Sequence, residues 1–136
     1  MWFCPILFDG VEPGGWRIPE YLIGFSYHEP ETYAQWQRGV IEDFESSTGL
    51  WVTADTSAAA IAWGERVAET LHRRVNDDPV SDWYGAGHFC WVEESPTSSC
   101  WGHCLDFYQR VRVNEMPPLD RMGTDAYLRW MEERQV

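Results

Sequence analysis

His88-x-Cys90 followed by Cys100-x-x-His103-Cys104 concentrates nitrogen and sulfur donors in one short stretch of chain. These are the ligand types zinc takes, four at a time in tetrahedral array. If His88–Glu93 and Cys100–Phe107 form a hairpin about the Ser95–Ser99 turn, a register opposing Cys90 to Cys104 brings His88, Cys90, Cys100 and Cys104 to one face. A slip of one residue opposes Cys90 to His103 and sends Cys104 to the far side. Only Cys100 and Cys104 have the short spacing usual in zinc knuckles. Buried cysteines acting as small hydrophobes beside partly buried histidines are the plainer account of the same residues.

Other chemistries fit less well. Cys100-Trp-Gly-His-Cys104 has one residue too many for a dithiol redox motif, and no capped helix begins there to lower a thiol pKa. Cys104 with His88 or His103 and Asp106 could in principle make a nucleophile, base and orienter, but no Gly-rich oxyanion loop accompanies them. The acid pairs Asp77-Asp78, Glu93-Glu94 and Glu132-Glu133 are adjacent residues beside turns, where carboxylates face solvent and do not form dyads. No catalytic residue is assigned on this reading, which leans away from an enzyme.

The donors lie in an unusual electrostatic setting. From Val75 to Gln109 there is no basic side chain, while Asp77, Asp78, Asp82, Glu93, Glu94 and Asp106 all fall there. Across all 136 residues, 22 acids outweigh ten basic residues for a net charge of -12. All ten are arginine, so lysine-based Schiff-base or phosphate-loop chemistry is excluded. A field this negative repels phosphate backbones and anionic lipid, disfavouring nucleic acid and membrane as partners and favouring a basic protein. Trp83 and Trp101 sit in loops or at strand ends beside glycines, in the same acidic segment. Indoles among acids are what a hot spot for an arginine- or lysine-rich surface contains. Asp77, Asp78, Asp82, Trp83, Glu93, Glu94 and Trp101 are therefore the candidate partner-binding residues.

The elements that must position these groups follow from periodicity. Trp2–Phe8 is a strand with Pro5 pushing it to an edge, and Asp9–Pro19 is a loop. Tyr21–Tyr27 is a second strand, expected to pair antiparallel with the first. Pro30 opens a helix that Tyr33, Trp36, Val40 and Phe44 carry to about Glu45, followed by a Ser46–Gly49 turn and a strand over Leu50–Ala54. Asp55, Thr56 or Ser57 caps a helix over Ala58–Val75, whose stripe of Ala60, Gly64, Val67, Leu71 and Val75 includes residues small enough for close packing. His88–Glu93 is a strand, Trp101–Val113 is extended in its second half, and Thr124–Arg134 is a short closing helix.

Residues 1–136 are thus expected to form one α+β domain, about two-thirds of whose unfolded surface is buried. The expected architecture is a two-layer sandwich: a mainly antiparallel sheet of about five strands with helices chiefly on one face, ferredoxin-like in general architecture. The central strand-helix-strand stretch, Leu50–Glu93, allows one parallel crossover. Met1–Phe8 is apolar but lacks a basic flank and is too short to span a bilayer, so a cytoplasmic protein with reduced cysteines is expected.

Three functions compete. The first is a non-catalytic binding or inhibitory protein, immunity-like in composition, that captures a basic partner. The second is a zinc module on the His88–Cys104 hairpin. The third is a small-ligand binder or enzyme with a pocket near Trp83, His88 and His103.

Overall fold

The computed structural model describes residues 18–40 and 46–134. The expected Trp2–Phe8 strand, most of the Asp9–Pro19 loop and the end of the first helix, residues 41–45, lie outside the described residues.

β1 (Glu20–Tyr27) is the centre of the sheet, and Leu22 to Tyr27 are all buried because both its faces are covered. α1 (Pro30–Gln37) starts with proline in its first turn but stops well short of the apolar pattern running on to Phe44. Gly39 takes φ +76°, its N–H bonds to the Trp36 carbonyl, and the Val40 N–H reaches back to the Gln35 carbonyl. This left-handed cap satisfies the last carbonyls of the helix.

β2 (Ser46–Thr53) pairs antiparallel with β1 along its whole length, from Tyr27↔Ser46 to Glu20↔Thr53. The expected Ser46–Gly49 turn is therefore strand, because pairing with a buried neighbour outweighs the turn preference of serine and glycine. α2 (Ser57–Val75) begins at Thr56, whose Oγ1 accepts the Ala59 N–H at 3.1 Å. It buries Ala60, Gly64, Val67, Ala68, Leu71 and His72. A Cβ on Gly64 would stand 2.6 Å from Ile23 Cγ2, so the glycine sets how closely α2 lies on β1.

β3 (Cys90–Val92) pairs antiparallel with the far side of β1, and β4 (Arg110–Arg112) pairs parallel with β2. The order is β3-β1-β2-β4, so β2, α2 and β3 form a split β-α-β unit straddling β1. β3 and β4 lie at opposite edges, and the expected hairpin between His88–Glu93 and Cys100–Phe107 does not form. Short 3-10 turns (Pro96–Ser98 and Leu105–Phe107) occupy the intervening chain instead. The described residues form an α+β fold with one four-stranded mixed sheet and three helices. None of these helices is long and apolar enough to cross a membrane.

The two faces of the sheet are covered differently. α2 lies over Ile23 and Phe25 on one, while Leu22 on the other meets Cys104, Tyr108 and Trp101. α3 (Thr124–Arg134) joins that second cluster through Tyr127 and Trp130. Gly24 and Gly49 face each other across the β1–β2 pair and leave a slot for indole rings. A Cβ on Gly24 would fall 2.5 Å from Trp91 and 2.8 Å from Trp101. Gly24→Ala is accordingly expected to destabilise the fold by about 1–3 kcal/mol, since both rings must move within a packed layer. Urea unfolding checks it, and an unchanged midpoint would contradict the packing described.

Candidate metal centre

The order of the sheet brings three chain segments to one corner. β1 ends at Tyr27 and is followed by His28, α2 reaches its last turn at His72, and the loop 76–89 delivers His88 just before β3. Because β3 runs antiparallel to β1, its start lies beside the end of β1. One ligand nitrogen from each of His28, His72 and His88 lies within 4.8 Å of the other two. The ring centroids are 4.5 Å apart for His28–His72, 5.3 Å for His72–His88 and 5.6 Å for His28–His88.

Neighbouring groups hold this arrangement. Asn76, the cap of α2, donates its side-chain amide to the carbonyls of both His28 and His72, each at 2.8 Å, tying the helix end to the strand end. Trp83 is buried and donates its indole N–H to the Ser26 carbonyl at 2.7 Å, while its ring stacks on His88. Ser26 Oγ lies 3.2 Å from His88 Nδ1 and accepts the Phe89 N–H at 3.4 Å. The Tyr33 ring of α1 covers His28 at 4.9 Å. The loop itself is pinned by Arg73 Nε–H to the Ser81 carbonyl and by Asp82 Oδ1, which accepts the Gly85 N–H.

Two features make the cluster chemically specific. Burial, reinforced by the His28 and His88 rings, lowers the His72 pKa from 6.5 to about 4; burial followed by His88 lowers that of His28. The imidazoles His28 and His72 are therefore neutral at pH 7, the form that ligates metal. His72 is fully buried, yet neither of its ring nitrogens has a hydrogen-bond partner. A tetrahedral zinc with Zn–N of about 2.0–2.1 Å separates its ligand nitrogens by about 3.4 Å. His88 Nε2 and His28 Nδ1 already stand 3.4 Å apart, within hydrogen-bond reach of each other. With a proton on His88 Nδ1 directed at Ser26, the lone pair of Nε2 faces the cluster, the usual outer-shell arrangement for a ligating histidine. The three residues fit a zinc or similar imidazole-binding ion.

Of the four ligands expected from sequence, only His88 joins this cluster. Cys90 packs beneath α2 beside Gly64, and burial followed by Glu65 pushes its thiol up to about 12, far from the ligating thiolate. Cys104 lies on the opposite face, its Sγ 3.7 Å from Tyr108 Oη, and Cys100 is exposed in a turn. His88, Cys90, Cys100 and Cys104 do not converge, because the hairpin that would have aligned them is absent. His103 is also apart: its Nε2 meets Tyr127 Oη at 3.2 Å beside a cleft of about 260 Å3 on the second face.

The expected partner-binding residues divide as well. Asp77, Asp78, Asp82 and Glu94 are exposed, whereas Glu93 is half-buried and accepts the Trp91 indole N–H. Trp83 is only 2% exposed, which runs against its presentation to a partner, while Trp101 is half-buried in the glycine slot. The large apolar groups on that loop that do face solvent are Val80 and Tyr84, with Phe89 just beyond His88.

His28 and His72 were not legible as ligands, and neither has a local motif. The one signal for His72 is its place in the row Ala60, Gly64, Ala68, His72, the i+4 track by which α2 faces the sheet. A polar ring at the end of a buried track calls for a partner. No family model matches the chain, and no curated protein or solved structure matches it either.

Proposed function

We propose that this chain is a metal-binding protein whose centre is His28, His72 and His88, with zinc the ion that three imidazoles best suit. The observation that carries the reading is His72, a fully buried imidazole neither of whose nitrogens has a hydrogen-bond partner, one of them lying within 4.8 Å of a ligand nitrogen on each of two further imidazoles. Leaving a buried polar atom unsatisfied costs about 1–3 kcal/mol, and a bound ion would recover that cost at the ligating nitrogen. Zinc, which the sequence offers only as the alternative to a protein-binding function without a cofactor, becomes the first reading, and its ligand set is moved. The ion would clip the ends of β1 and α2 to the start of β3, so binding and stability are linked.

Zinc titration of metal-free protein should give one ion per chain. At about 100-fold excess over the dissociation constant it should add roughly 2.7 kcal/mol of stability, or about 10 °C in melting temperature. Cys90→Ser should behave as the parent does. An unchanged melting curve with zinc, or equal binding by His28→Ala, overturns the reading.

A second reading has its own support. Val80, Tyr84 and Phe89 stand exposed among Asp77, Asp78 and Asp82, an apolar and anionic surface suited to a basic protein partner. In this reading the chain is a non-catalytic, inhibitor-like binder in the cytoplasm. The association rate with a co-purifying partner should fall steeply as salt rises, and a rate indifferent to salt would count against it. The finer architecture, a two-layer, ferredoxin-like sandwich of about five strands, is likewise part of this proposal; it is supported by the split β-α-β unit.

A further inference from the structure

We infer that the cleft on the second face of the sheet is a binding site for a trimethylammonium group. The inference is independent of the metal reading, because the cleft shares no residue with the histidine cluster. The cleft holds about 260 Å3 and is walled by four aromatic rings, those of Trp101, Phe107, Tyr108 and Tyr127. That volume falls below the roughly 300–1,000 Å3 of pockets that enclose a drug-sized ligand, so it fits a single small headgroup.

Three parts of the fold bring the rings together. Trp101 is seated in the Gly24–Gly49 slot, the turn at Leu105–Phe107 places Phe107 and Tyr108 beside it, and the start of α3 adds Tyr127. Trp101 and Tyr108 are inclined by 52° at 5.1 Å, Phe107 and Tyr108 by 63° at 5.6 Å, and Phe107 and Tyr127 by 81° at 5.4 Å. Rings inclined in this way turn their faces in different directions. A compact cation among them meets more than one π-surface, as in the cages that hold quaternary ammonium groups.

Charge selects a cation over a neutral group of the same shape. Glu29 Oε1 accepts hydrogen bonds from the hydroxyls of Ser46 and Thr124, which holds a carboxylate between the two segments of the polar rim, Ser47–Thr48 and Gly123–Thr124. The charges of Glu29 and Asp125 both act on Tyr27, whose Oη lies beside Gly123 of that rim. The chain as a whole carries a net charge of -12. The aromatic row already holds one cation at its far end, where the Arg134 guanidinium lies 4.4 Å from the centre of the Trp130 ring and Trp130 stacks on Tyr127.

The lining then distinguishes among cations. The polar groups of the described residues that line the cleft are hydroxyls, the His103 imidazole and the Cys104 thiol, and the Glu29 carboxylate stands behind Thr124. A primary ammonium or a guanidinium entering here gives up strong hydrogen bonds to water for weaker ones. A trimethylammonium group has no N–H to satisfy, and sets its methyls against the rings and its charge over their faces. Free choline and a trimethylated lysine side chain both carry that group.

Calorimetric titration of the full chain with choline, in the presence of a chelator, tests this. The expected result is one choline per chain, with the uncharged carbon analogue, in which tert-butyl replaces trimethylammonium, binding about 10-fold more weakly. Tyr127→Leu should weaken choline by about 5-fold, since it removes one ring from the wall. The comparison of choline with its analogue is made on the parent chain, so it decides the question even where Tyr127→Leu does not fold. Tighter binding of choline than of acetylated, amidated trimethyllysine assigns the group to a free amine, and the reverse order assigns it to a modified lysine. Absence of a saturable heat with either ligand, equal affinity for the uncharged analogue, tighter binding of methylammonium than of choline, or parental affinity in folded Tyr127→Leu overturns the inference, and each of these leaves the metal reading where it stands.

Discussion

His72→Leu is expected to abolish zinc binding and, in the same molecule, to make the metal-free protein more stable. Leucine is close to histidine in volume and carries no polar atoms, so it fills the site beneath the end of α2 without the two unpartnered nitrogens. Exchanging an unsatisfied buried polar group for an apolar one of similar shape removes a desolvation penalty of about 1–3 kcal/mol. Zinc affinity should fall by more than 100-fold, since losing even an outer-shell partner typically costs about 10–100-fold. Urea unfolding in the presence of a chelator reads the first effect and zinc titration the second. If His72 merely filled the core, its replacement would lower stability or leave it unchanged, and zinc would play no part. His88→Leu supplies the contrast. It discards the contact with Ser26 Oγ, and should lose zinc binding without gaining stability.

That opposition between stability and binding explains why the centre was hard to read in the chain. The Ala58–Val75 helix and the Tyr21–Tyr27 strand declare themselves through local patterns: one an apolar stripe behind Thr56, the other a run of aromatic and branched residues. The end of α1 was also local, but Gly39 carries it, and the apolar residues Val40 and Phe44 continue the helical spacing past the point where the glycine stops it. Ser46–Gly49 looks like a turn because its residues favour turns. Its strand conformation comes from pairing with β1, which only the assembled sheet supplies.

The site depends still more on long-range order. His28, His72 and His88 are separated by a helix, a strand and a long loop, and meet only because β3 docks beside β1 and not beside β4. Cys90 would oppose Cys104 only if neighbours in sequence were neighbours in the sheet. The chain between them instead crosses to the other face, where Trp101 enters the Gly24–Gly49 slot. The acidic segment from Val75 to Gln109 contains one of the three clustered histidines and the loop that carries it, while the other two lie in stretches that resemble ordinary core.

Acid should unfold the metal-free protein along a path set largely by the same imidazole. In the folded chain His72 stays neutral down to about pH 4, held there first by burial and then by the His28 and His88 rings; Arg73 adds to the effect and Asp78 opposes it. In the unfolded chain it takes up a proton near pH 6.5. Between those values the unfolded state binds more protons than the folded one, so stability falls as pH falls through that window. The contribution is fully present above pH 6.5, and below about pH 4 this group removes no more. The loss is at most roughly 3 kcal/mol, and His28, also lowered, acts in the same direction. Stability measured by urea unfolding with chelator present, at steps from pH 7 to pH 4, should therefore decline more steeply in the parent than in His72→Leu. Parallel slopes would mean that His72 is already protonated, or already hydrogen-bonded, in the folded chain, and a buried neutral imidazole waiting for an ion would no longer describe it.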